Sequence, residues 1–66
     1  MKIYCEAHII EPELRENLAD CIRIIGGEPK ETNGSVWMSY DGKPDDCHKF
    51  VELFEQYGVH GIFSIS

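Results

Sequence analysis

The spacing of apolar side chains changes period along this chain, and each change marks an element. In "KIYCEAHII" the alternation is strict. Ile3, Cys5, Ala7 and Ile9 share one face, and Tyr4, Glu6, His8 and Ile10 share the other. A period of two predicts a half-buried strand. From Leu14 onward the period lengthens: Leu14, Leu18, Cys21, Ile22 and Ile25 fall on one helical stripe. Pro12 in "EPEL" suits the first helical position, where a missing N–H costs nothing. Gly26 and Gly27 end the helix, because glycine takes the left-handed cap conformation cheaply.

The next stretch, "EPKET", has weak strand propensity, and Pro29 confines it to a sheet edge. Asn33-Gly34 is a strong short hairpin signal. Residues 28–32 and 35–40 are therefore expected to pair as a hairpin, with Val36, Met38 and Tyr40 on one face of the second strand and Trp37 on the other. "DGK" turns the chain and Pro44 opens a second helix, with Asp45 and Asp46 in its first turn, where carboxylates suit the helix dipole. Cys47, Phe50, Val51 and Phe54 form its apolar stripe, and Gly58 ends it. "VHGIFSIS" reads as a last strand, with Val59, Phe63 and Ile65 on one face and His60, Ile62 and Ser64 on the other.

The predicted order is strand, helix, strand, strand, helix, strand. The pattern repeats at about the half-chain period, with Tyr4 matching Trp37, Leu14 matching Cys47 and Leu18 matching Val51. Two right-handed split βαβ units give an α+β, ferredoxin-like βαββαβ plait. It is a single domain over residues 1–66, a four-stranded antiparallel sheet with two helices on one face and the first and third strands central. The expected core is Cys5, Leu18, Ile22, Val36, Met38, Phe50, Val51, Phe54 and Phe63. Residues 28–32 are the weakest of the strands; without them a three-stranded sheet would remain.

Size narrows the picture. A core built from 66 residues is small, and chains of this length often lean on disulfides, a metal or a partner. Three cysteines, an odd number, argue against a closed disulfide framework. No apolar run reaches membrane-spanning length. The first residues carry a glutamate and a histidine within their apolar stretch and no small-residue cleavage site, so a soluble, cytoplasmic protein is expected. Charge changes the picture more. Twelve acidic residues against six basic ones give a net charge of −6. That balance opposes direct nucleic-acid binding and favours basic partners.

Chemistry-bearing residues are few. With the helices on the face of Val36, Met38 and Tyr40, Trp37 lies on the open face. Tyr4 shares that face from the neighbouring strand, with His8, Ile10, His60 and Ile62 around them. The two aromatics are either a cross-strand pair or part of a contact surface. The layout resembles the RNA recognition motif in topology and in these two positions, but "GSVWMSY" has neither that family's basic residue nor its aromatic spacing. Cys5 and His8 form C-x-x-H and Cys47 and His48 are adjacent, yet residues three apart on a strand face opposite ways and helix neighbours diverge. Cys5, Cys21 and Cys47 read as small core residues, so no metal and no cofactor are expected. No nucleophile, base and stabiliser converge, and "IGGEPK" lacks the spacings of phosphate-binding loops, so the chain reads as a non-enzyme.

The carboxylates carry the remaining signal. Glu11 can pair with Arg15, and Asp45 with Lys49, at helical spacing. Glu13, Glu16 and Asp20 instead form one outward stripe, with only Arg23 near enough to help. Glu52 and Glu55 extend the acidity on the second helix, and Glu28, Glu31 and Asp41 add to it near the hairpin. This is either a solvated surface or an array that takes the place of nucleic-acid phosphates. In size, acidity and lack of catalytic motifs the chain resembles the small phage-encoded inhibitors called anti-CRISPR proteins, several of which imitate DNA in charge. The resemblance rests on Glu13, Glu16, Asp20, Glu28, Glu31, Asp41, Asp45, Glu52 and Glu55, not on a motif. It implies stoichiometric blockade of a basic nucleic-acid-binding protein or complex. A second reading is a regulatory plait like the ACT family, forming a homodimer through Tyr4, Trp37 and the rest of the open face. The loop "IIEPE" lacks the glycine that ACT domains use for ligand approach.

Overall fold

A computed structural model describes all 66 residues. The N-terminal alternation becomes β1 (Lys2–His8), followed by α1 (Pro12–Ile25), β2 (Glu28–Thr32) and β3 (Ser35–Asp41). A single 3-10 turn (Pro44–Asp46) leads into α2 (Cys47–Gln56), and β4 (Gly61–Ile65) closes the chain. The strands form one open antiparallel sheet in the order β2-β3-β1-β4, so β1 and β3 are central and the "EPKET" strand does form, at an edge. The half-chain repeat is exact in the strands. β1 and β3, like β2 and β4, are displaced from one another by half of the 66 residues at both ends.

Pleating sorts the side chains. Ile3, Cys5 and Ala7 of β1 and Val36 and Met38 of β3 are buried, as is Ile9 just beyond β1. Leu18, Ala19 and Ile22 of α1 and Phe50, Leu53 and Phe54 of α2 are buried with them. All but Ala19 belong to one apolar cluster, which places both helices on the same side of the sheet. The fold is thus α+β, with a four-stranded antiparallel sheet and two helices. No polar or charged side chain is buried, so the core asks for no internal hydrogen bonds.

The core differs from the expected one on α2. Val51 is only half-buried, and Leu53 takes the inward position. Both flank the Phe50–Phe54 stripe, and the rotation of the helix on the sheet decides which one is covered. Phe63 is also half-buried, since β4 is an edge strand with α2 above it on one side only. Its ring meets Phe54 with centroids 5.3 Å apart. Gly61 makes room for that packing: a Cβ there would lie 2.7 Å from Phe54 Cδ2 and 2.8 Å from Cys5 Sγ. β4 starts at Gly61, so Val59 and His60 precede it rather than belong to it.

Ends and turns follow the sequence signals, with two corrections. Pro12 opens α1, and Gly26 closes it with φ 109°, donating its N–H to Ile22 O and Arg23 O. Asn33 and Gly34 form the two-residue loop between paired Thr32 and Ser35, and only Gly34 has positive φ. Arg15 does not pair with Glu11. Its Nη1 donates to Ile9 O at 2.8 Å and Ile10 O at 2.9 Å, tying the β1–α1 connection to the helix. Lys49 pairs with Asp46 at 3.5 Å, not with Asp45. Asp46 Oδ2 also accepts from the Lys43 backbone N–H at 3.1 Å and from Tyr40 OH at 3.3 Å. The Lys43 N–H is the main reason its carboxyl is held below the usual range.

Candidate interaction surfaces

The residues pointing away from the helices form four cross-strand rows, of which Asp41, Lys2 and Ser66 make the one at the end of the sheet. Of the others, the first runs Glu28, Ser39, Tyr4, Ser64; the second runs Lys30, Trp37, Glu6, Ile62. Thr32, Ser35 and His8 make another, at the opposite end. The first two rows line a shallow groove of about 480 Å³ on the open face. Trp37 is 46% exposed and Ile62 69%, large values for apolar side chains on a domain this small.

Tyr4 and Trp37 share this groove but are not directly opposed. Tyr4 faces Ser39 and Trp37 faces Glu6, so the two aromatics are diagonal neighbours. The molecule's ring pairs lie on the helix side instead, Tyr40 with Phe50 and Phe54 with Phe63. Of the two alternatives, a directly opposed Tyr4–Trp37 pair is not what the register gives; both rings line the groove with Glu6 beside them. His8 is the last residue of β1 and His60 lies just before β4, one step beyond the Ala7–Gly61 pair. Ile10 is exposed beyond the end of β1.

The carboxylates divide between surfaces. Glu13 and Glu16 are exposed on α1 and make no ion pair, whereas Asp20 is held by Arg23 at 2.8 Å. On α2, Glu52 lies 3.0 Å from His48 Nε2, and Glu55 is exposed and free of ion pairs. Glu28 lines the open-face groove, while Glu31, opposite Val36, belongs to the helix side of β2. The open face is close to balanced, with Lys2 and Lys30 against Glu6, Glu28 and Asp41. The excess negative charge sits elsewhere: Glu11, Glu13, Glu16, Asp20, Glu31, Asp45, Asp46, Glu52 and Glu55 face only Arg15, Arg23, Lys43 and Lys49. The pairing of Glu28 with Ser39 is what places it on the open face.

The thiols sit in different settings. Cys5 is buried, on the face of β1 opposite His8, and burial is the chief cause that pushes its pKa up to about 12. Cys21 and Cys47 are half-buried against the core. Cys21 Sγ lies 3.1 Å from Tyr57 OH, and this hydrogen bond is the main reason the Tyr57 phenol is pushed up. It also ties α1 to the end of α2.

No protein-family model matches the chain, and no curated protein matches it significantly. No helix is long and apolar enough to cross a membrane.

Proposed function

We propose that the chain is a ferredoxin-like plait that acts without catalysis, as an inhibitor or modulator. Its acidic, helix-bearing side binds a basic nucleic-acid-binding protein and keeps nucleic acid out. The observation that carries this reading is the segregation of charge. The open face is nearly balanced, and the negative excess lies on α1, α2, the connections and the helix side of β2. Within that side Glu13 and Glu16 lie one turn apart with no cation on either. Like charges at this spacing repel by a few tenths of a kcal/mol, about 0.2–0.5 per pair, and a lysine- or arginine-lined groove relieves that cost. Asp20 and Glu52 contribute less, since Arg23 and His48 already engage them.

The test is co-purification with a panel of purified nucleic-acid-binding complexes, RNA-guided nucleases first, followed by competition with DNA. Association should be fast at low salt and slow as ionic strength rises. Reversing both charges, Glu13→Lys with Glu16→Lys, should slow association and abolish competition while leaving the circular dichroism spectrum unchanged. Binding indifferent to salt, or to the double reversal, refutes this reading.

A second reading is favoured by one observation, the exposed Trp37 and Ile62 walls of the open-face groove. In it, the protein is a small regulatory plait of ACT type that acts through that face. Trp37→Ser, which leaves the acidic side intact, should then abolish function where the Glu13/Glu16 reversal does not.

A further inference from the structure

The two edges of the sheet are built differently. β2, "EPKET", carries Glu28, Pro29, Lys30 and Glu31, and a proline and charges are what block further strand pairing at an edge. β4, "GIFSI", has no charged residue and no proline, and its Ile62 and Ile65 are 69% and 43% exposed. One edge is protected, and the other is open and apolar.

The register shows which groups the open edge offers. Lys2 and Ser66 exchange both backbone hydrogen bonds, Lys2 N to Ser66 O at 2.8 Å and Ser66 N to Lys2 O at 2.9 Å. Antiparallel pairing alternates, so Tyr4–Ser64 and Glu6–Ile62 are also hydrogen-bonded pairs. Gly61, Phe63 and Ile65 then turn their N–H and C=O groups away from β1, toward the free edge. In an isolated molecule those groups have only water as a partner.

We propose that β4 is a self-association edge, and that its occupant is β4 of a second copy of this chain, running antiparallel across a twofold axis at Phe63. The outward groups fix the register. Phe63 faces Phe63 of the other copy, and Gly61 faces Ile65, each pair hydrogen-bonded both ways. On the helix side, the half-exposed Ile65 covers the position where Gly61 has no side chain. On the open face, Ile62 lies opposite Ser64. An uncharged strand is what lets two copies of a −6 chain meet here. The interface is isologous, as a twofold contact must be, and it continues the sheet through both molecules. Such a short strand pair gives a weak, concentration-dependent dimer, below the standard interface size.

Sedimentation from micromolar to millimolar concentration, with hydrogen exchange on the same samples, tests this. The Phe63 and Ile65 amides should exchange freely when dilute and gain protection as concentration rises, while the Tyr4 amide stays protected throughout. Ile65→Pro removes an outward donor without touching the β1 ladder. It should weaken self-association about tenfold or more, since the axis removes two hydrogen bonds per dimer. Trp37→Ser should leave self-association unchanged. A monomer at every concentration with unprotected Phe63 and Ile65 amides overturns the proposal. So does a dimer abolished by Trp37→Ser but not by Ile65→Pro, because that dimer would use the open face.

Discussion

The same four strands supply two faces, and alternate residues along one backbone meet opposite conditions. Ile3, Cys5, Ala7, Val36 and Met38 are sealed under two helices, and no polar group among them needs a partner. Tyr4, Glu6, Trp37 and Ile62 stand one residue away and face solvent around a groove. On the covered face, side chains are fixed by volume, because interiors are close-packed and every methylene is felt. On the open face nothing within the molecule demands a tryptophan. The contrast separates what folding requires from what is left for recognition. Substitutions should therefore sort by parity along each strand, not by residue type.

The largest effect belongs under the helices. Leu18 is fully buried between α1 and the sheet. Leu18→Ala removes its transfer free energy and leaves a cavity, at a cost of about 2–5 kcal/mol. For a domain this small that is a large share of its stability, which for native proteins is only about 5–15 kcal/mol. Urea unfolding should show a midpoint far below that of the parent with a similar slope. A cooperative Leu18→Ala variant with an unchanged midpoint would break the comparison at its root.

A smaller effect on the same face is read by pH. The Cys5 thiol is pushed from an ordinary value of 9.0 up to about 12, chiefly by burial, with Cys47 and Glu6 adding to it. In the unfolded chain the thiol ionises at its ordinary value, so above that pH the unfolded state binds fewer protons than the native one. The stability that Cys5 contributes is complete below about pH 9 and is lost as pH rises toward 12. Tyr57, also pushed up, adds to the loss in the same direction. Denaturation across the alkaline range should show a falling limb that Cys5→Ala flattens and Tyr57→Phe flattens further. Alkylation should reach Cys21 and Cys47 well before Cys5. A Cys5 that reacts first would place it on the open side of the sheet.

Periodicity carried the architecture a long way. The six elements, the central strands, the edge position forced by Pro29 and the caps at Pro12 and Gly26 were all readable, because each depends on local spacing or on one residue's backbone preference. What escaped depends on how elements sit against each other. Val51 and Leu53 are equivalent flanks of one stripe until the helix is turned against the sheet. Trp37 and Tyr4 share a face by parity, but only the register makes them diagonal rather than opposed. Arg15 chose the Ile9 and Ile10 carbonyls over Glu11 because the β1–α1 connection folds back within its reach. The acidic surface was legible as charge and not as location. Glu28 lies on the open face and Glu31 on the helix side, and Glu52 meets His48, whereas the Arg23 partner of Asp20 was readable from spacing.

The smallest effect on stability, and the sharpest test of the open face, comes from Trp37. It is half exposed, has no ring partner, and sits across from Glu6 and Lys30. A cross-strand neighbour of this kind contributes about 0.2–1 kcal/mol, so Trp37→Ser should barely move the unfolding midpoint. As the only tryptophan, it also reports on its own surroundings. Its fluorescence should be quenched readily by acrylamide in the dilute protein. If copies associate through β4, the ring stays on the open face of a continued sheet, and quenching persists as concentration rises. If two open faces pack together, or a partner seats on the groove, Trp37 is enclosed and quenching falls. Quenching that falls on addition of a nucleic-acid-binding partner, and recovers with the Glu13→Lys and Glu16→Lys reversal, would show one partner spanning both surfaces. Quenching unchanged by a bound partner would assign the contact to the helical side alone.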